Sequence, residues 1–296
     1  MADFRPVLSD LHYLECPRWH EDRIWVADFY ANQVLSARAD GTDVRVEAEV
    51  PNQPSGLGWL PDGRLLIVSM RDATVLRREH DNTLVVHADL ADHVSGYPND
   101  MVVDARGRAY VGNFGFDLMA GADIEPAVLL RVDPDGAVTQ VADELWFPNG
   151  SVITDDNVLL VDETFGNRVS AFDIAADGSL SNRRVFAQFG ELPTSRVVSE
   201  ALPQLVVAPD GCGLDAEGAL WIADAAHGRV IRVAEGGEIL DERSPGTGTF
   251  ACLLGGPDGR TLFVCAAPDF DEHARSAARE ARLLATTVTV PHGGRP

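Results

Sequence analysis

Lysine is absent from all 296 residues. That excludes a Schiff-base amine and the phosphate-binding lysine of a P-loop. Basic charge is scarce altogether: 24 arginines face 46 acidic residues, for a net charge of −22. Such a chain repels phosphate backbones and anionic lipid surfaces, so neither nucleic acid nor membrane is an expected partner. Cysteine is limited to Cys16, Cys212, Cys252 and Cys265, with no C-x-x-C pair. This fits neither a zinc cluster nor a dense disulfide framework, and reduced, buried thiols are expected. No apolar run reaches the roughly 18 residues of a membrane span, and the opening MADFRPVLSDLHYLE has no basic leader, so a cytoplasmic protein is expected. No G-x-S-x-G nucleophile elbow occurs, which disfavours a serine hydrolase.

What is present is β pattern. Period-2 runs of Val, Ile and Leu recur along the chain between Asp-Gly turns, while helical periodicity is confined to DEHARSAAREARLL near the end. The runs fall into six units, each a short apolar strand, a tight turn and a second strand, as in GLGWLPDG–RLLIVSM or CGLDAEG–ALWIADA. Radial four-stranded blades leave only short protected edges. The expected architecture is all-β, a single six-bladed β-propeller domain over residues 1–296, with four-stranded antiparallel blades around a central channel. A monomer is the default.

Equivalent positions of the first strands should face that channel at one height. With Trp19, Trp59, Val103, Ile153 and Leu214 as anchors before each turn, counting back four residues gives Glu15, Ser55, Asn99, Asn149 and Asp210. The sixth unit gives Phe250 or Ala251. Glu15, Asn99, Asn149 and Asp210 together offer two carboxylates and two amide oxygens, a hard donor set that suits one divalent cation, Ca²⁺ first, with Mn²⁺, Mg²⁺ or Zn²⁺ as alternatives. The competing explanation is that Asn149-Gly150 and Asp210-Gly211 are turn formers, as Asp62-Gly63 and Asp135-Gly136 are. Position separates them, since the turn pairs follow a strand and the proposed ligands precede one.

The segments LECPRW, YPNDMVVDARGRAYVGN, FPNGSVITDDNVLLVDET and APDGCGLDAEGALWIADA resemble the recurring segments of the SMP-30/gluconolactonase/LRE-like family. The resemblance implies a divalent-cation site on Glu15, Asn149 and Asp210, substrate or metal contact by Asn99, and catalysis involving Asp100. It also implies a metal-dependent lactonase, with Asp100 as general base and Asn99 orienting the substrate. Two positions depart from the family pattern. Cys16 stands between Glu15 and Pro17 where a glycine is usual, and Tyr97 replaces an arginine found two residues before the Asn in sugar-lactone members. Together with an aromatic rim of Tyr97, Phe114, Phe116, Phe165 and His227, this suggests a lactone less polar than an aldonolactone.

The loop NFGFDLMAGADIEPAV is read either as a cover over substrate or as a loop packed on its own blade. His227 and His93 are read as proton carriers or, more simply, as polar surface residues. The rival functions are a phosphotriesterase using the same cation and a non-catalytic propeller that binds ligands at its rim.

Overall fold

Propeller blades need both faces covered, and the second strands supply this with nearly continuous apolar runs. Leu65–Ser69 and Ala109–Asn113 are buried at every position, as strands sandwiched between neighbouring sheets must be. The computed structural model describes residues 3–294; residues 1–2 and 295–296 of the expected domain lie outside the described residues. It contains six four-stranded antiparallel sheets arranged in a ring. Their innermost strands are Leu14–His20, Pro54–Trp59, Pro98–Val103, Pro148–Ile153, Pro209–Leu214 and Gly248–Gly255, here called the inner strands of blades 1 to 6. Blade 6 is completed from the other end of the chain, because Arg5–Leu11 pairs with Ala281–Thr287 as its outer strand.

Every inner strand carries an extra residue near its start. In blade 3, Pro98 faces Asn113 and Met101 faces Val111. The same slip falls between Pro148 and Ser151, between Pro209 and Cys212, and between Glu15 and Arg18. A bulge of this kind bends the strand and re-aims its side chains. In blade 6 the extra residue is Phe250, between Thr249 and Ala251. The glycine after Asn149 has a separate cause. A Cβ on Gly150 would lie 2.3 Å from the Asp210 carbonyl oxygen, so adjacent inner strands approach too closely there for a side chain.

Two expectations are corrected. DEHARSAAREARLL is helical only over Glu272–Ala277, with Asp271 Oδ1 capping Ala274 N at 2.7 Å. Its remainder enters the strand Ala281–Thr287, because blade 6 needs a third strand and tertiary pairing overrides helix propensity there. Tryptophans within strands are expected in the core; Trp25 and Trp221 are buried, whereas Trp19 and Trp59 are only half-buried, at the end of the channel away from the strand starts. The four cysteines are free and buried. Among the described residues no helix is long and apolar enough to cross a membrane.

Candidate functional site

The bulges bring Glu15, Asn99, Asn149 and Asp210 to the floor of one pocket at the channel mouth, which encloses about 730 Å³ including the part open to solvent. All four are buried. A directed chain of hydrogen bonds fixes the amides. Ser55 Oγ donates to Asn99 Oδ1 (2.9 Å), Asn99 Nδ2 to Asn149 Oδ1 (2.9 Å), Asn149 Nδ2 to Thr164 Oγ1 (3.2 Å) and Thr164 Oγ1 to the Pro209 carbonyl (2.8 Å). The relay thus runs from blade 2 to blade 5 and holds both amides in one orientation.

Charge is unevenly matched around this floor. Burial, then the charges of Asp210 and Asp100, push the Glu15 carboxyl well above the usual carboxylate range. Burial, then Asp162 and Asp100, do the same to Asp210. Asp162 is fully buried on the second strand of blade 4, neither of its oxygens has a hydrogen-bond partner, and desolvation raises it strongly as well. The cation facing these groups is Arg18, 3% exposed, whose Nη2 donates to Asp100 Oδ1 at 2.6 Å. Met101 N bonds the same oxygen at 2.7 Å.

The walls are apolar. Tyr13, Phe29, Tyr30, Phe250 and Phe270 stand on one side, and Phe114, Phe147 and Phe165 on the other, with Phe114 and Phe147 stacked at 4.4 Å. Among the described residues no arginine or histidine lines the pocket. Of the residues singled out from sequence, Phe114 and Phe165 join the four floor residues in lining it. Asp100 lies beside the floor on Arg18 instead. Phe116 is buried behind the wall against Phe147 and Phe165, and Tyr97 packs on Phe114 at 6.2 Å. His227 is half-exposed and turned to Asp224, with Nδ1 3.0 Å from Oδ2. The loop between the second and third strands of blade 3 packs Phe116 against Phe147 and Phe165 of blade 4 rather than on its own blade, while Leu118 and Met119 line the pocket.

Sequence reasoning missed Tyr13, Phe147, Thr164 and Phe270, and the anchors beneath them. Asp28, Glu163 and Asp224 end the second strands of blades 1, 4 and 5 and are fully buried. Each accepts from the backbone of the segment leading into its own inner strand: Asp28 from Tyr13 N, Glu163 from Trp146 N, Asp224 from Ala208 N. These carboxylates set the loops that carry the wall residues. The signal was legible as an acid closing the repeated motifs WVAD, LVDE and WIAD.

The family model described as SMP-30/Gluconolactonase/LRE-like region matches residues 14–268. A 6-deoxy-6-sulfogluconolactonase from Pseudomonas putida is 27% identical over 95% of this chain and 93% of its own length. A regucalcin from Xenopus laevis is 31% identical over 89% of this chain and 86% of its own. Among solved structures, a calcium-binding regucalcin from Agrobacterium tumefaciens superposes with a TM-score of 0.78 at 20% identity, covering 100% of this chain and 97% of that one.

Proposed function

We propose that this chain, which belongs to the SMP-30/gluconolactonase/LRE-like family, is a divalent-metal-dependent hydrolase that opens the ring of a lactone less polar than an aldonolactone. The observation that carries the reading is the convergence of two buried carboxylates and two oriented amides on the floor of an otherwise apolar pocket. Lactonase activity is what the names of relatives such as the sulfogluconolactonase describe.

The donor set fits a hard cation. Glu15, Asp100, Asp162 and Asp210 lie within mutual Coulombic reach, with Arg18 beside them. At and beside the floor the carboxylates outnumber the one guanidinium, and a divalent ion would offset that excess. Among the described residues no three His, Cys, Asp or Glu side chains gather as a metal site, so such an ion depends on amide oxygens for half of its protein ligands. Glu15, Asn99, Asn149 and Asp210 would hold it. When bound, the ion supplies Lewis-acid polarisation of the ester carbonyl and stabilises the oxyanion that follows.

The chain's own residues do the rest. Asn99 orients the lactone oxygen, and the relay through Asn149 and Thr164 keeps it from rotating. Asp100 is the proposed general base: its hydrogen bonds fall on Oδ1, from Arg18 and Met101, and none falls on Oδ2, which is left to take a proton from water. The aromatic walls limit access of other water and offer a charged substituent no ionic partner. Where sugar-lactone members carry arginine, Tyr97 supplies no charge.

The test is hydrolysis by metal-stripped protein with Ca²⁺, Mn²⁺, Mg²⁺ or Zn²⁺ restored, on paired aldonolactones and aliphatic or aromatic lactones, with an organophosphate triester alongside. Metal-restored turnover of the apolar lactones is expected, with melting temperature rising on addition of the ion, by about 2.7 kcal/mol of stabilisation at a hundredfold excess over Kd. Faster turnover of the triester, or tight metal binding with no turnover, would falsify the lactonase reading.

A further inference from the structure

The apolar lining does not stop at the mouth. Met119 and Phe270 line the pocket and are themselves 37% and 43% exposed, and Val197, 45% exposed, adjoins the lining residue Val198. These residues sit on two built lips. On one, residues 116–125 are zipped to residues 191–206: Ile124 N donates to the Arg196 carbonyl at 2.7 Å, and Arg196 Nη1 returns a bond to the Ile124 carbonyl at 3.1 Å. Arg196 also pairs with Glu125 at 2.6 Å and lies over the Trp146 ring at 5.3 Å. On the other, Glu272 of the short helix pairs with Arg71 of blade 2, beside Phe270, which packs on Phe250 at 6.5 Å. The arginines of these lips are spent on fixing backbone and carboxylates. The side chains of these lips that line the pocket, Leu118, Met119, Val198, Leu202 and Phe270, are apolar.

A small unsubstituted lactone ring reaching the floor leaves this track wet. We infer that the lip formed by Met119 and Val198 is a subsite for an extended alkyl or acyl chain, so that the substrates are lactones whose ring sits on the polar floor while an apolar tail runs out along the lip. The inference rests on the lactone reading above and adds what that reading leaves open, the size and direction of the substituent. The chemistry that recognises the tail is area burial alone. Each methylene laid on the lip therefore raises kcat/KM by about two- to fourfold, until the chain passes the exposed rim.

The test uses full-length metal-loaded protein and γ-lactones carrying alkyl chains from methyl to decyl, kept below their aggregation concentration. The expected result is kcat/KM climbing with chain length and then levelling, with Val198→Asp lowering it at least fivefold more on the longest members than on the methyl member. A flat or falling series overturns the subsite. Alkyl γ-lactams, which share shape but resist hydrolysis, are titrated in parallel by calorimetry. If no lactone turns over but lactam affinity climbs with chain length, the subsite stands and the hydrolase reading falls. If lactam affinity is indifferent to chain length, the subsite is overturned whatever the turnover.

Discussion

The two ends of the propeller channel handle charge in opposite ways. At the far end, where the inner strands finish, Arg23, Arg45, Arg64 and Arg78 line a polar groove with Glu47 and Glu79. Each of these arginines is paired there, Arg23 and Arg45 with Asp43, Arg64 with Asp62 and Glu79, and Arg78 with Glu47. At the mouth, Glu15, Asp162 and Asp210 are buried with no cationic partner, and Arg18 serves Asp100. Paired charges in water contribute little to stability and carry no chemistry. Unpaired charges under an apolar wall are costly, and a fold that keeps them is organised around something that binds them.

Exchanging arginine for methionine at each end breaks the comparison most strongly. Arg18→Met strands Asp100 as a buried charge with no counterion and is expected to cost about 3–5 kcal/mol. Arg78→Met, which loses a 3.2 Å pair to Glu47 at the groove, is expected to cost about 1 kcal/mol or less. Chemical denaturation of both variants in chelator measures the difference, and equal losses would show that the mouth is no more demanding than the groove.

A second exchange concerns glycine. Gly150→Ala drives a Cβ into the Asp210 backbone at 2.3 Å, so about 1–3 kcal/mol is lost to overpacking and the two ligands on either side are displaced. Gly63, in a turn at the far end, has φ +86° and nothing within 4 Å of an added Cβ. Gly63→Ala loses about 1–2 kcal/mol through the left-handed backbone alone. Stability separates them poorly, whereas cation titration separates them well. A weaker Ca²⁺ response is expected in Gly150→Ala only.

Much of this contrast was legible in the sequence, because a propeller repeats its register. A constant offset from the anchor before each turn found Glu15, Asn99, Asn149 and Asp210, and the bulge that aims them recurs at the same place. Blade 6 was ambiguous because its strand is longer, and only the pairing identifies Phe250 as the extra residue. The walls were harder to read. Phe270, Val198 and Leu202 come from connections whose length no periodicity constrains, and Phe114 and Phe116, two residues apart on one loop, end on different sides of the wall. Asp162 looked like one more acid in VDET. Its oddity emerges only on alignment by register, where the other blades place Ala27, Val68, Gly112, Ala223 and Cys265.

That register gives a smaller test. Asp162→Ala adopts the residue of blades 1 and 5 and removes a carboxylate without a partner, so metal-free protein is expected to gain about 1 kcal/mol. The sign with pH follows from the direction of its shift. A carboxyl raised in the folded state favours folding below its unfolded value near 4, and that contribution is lost as pH rises through the folded value. The advantage of Asp162→Ala is therefore smallest in acid and grows toward neutrality. Denaturation midpoints for both proteins at two pH values measure it, and a constant offset would mean that Asp162 keeps its ordinary value.

The smallest effect is expected where sequence reasoning had considered a proton carrier. His227 sits outside the pocket, its side chain 45% exposed, with Nδ1 on Asp224. Asp224 does not depend on it, because Ala208 N and Arg229 Nε bond the same carboxylate at 3.0 and 2.8 Å. His227→Ala therefore leaves the entry to the blade 5 inner strand intact, and Asp210 with it. On the most active lactone its kcat and KM should stay within twofold of the parent across pH 5.5–8, the range in which an unperturbed imidazole changes charge. A tenfold fall in kcat that follows an imidazole titration would bring His227 into the reaction and place the working groups higher in the mouth than the Glu15–Asp210 floor.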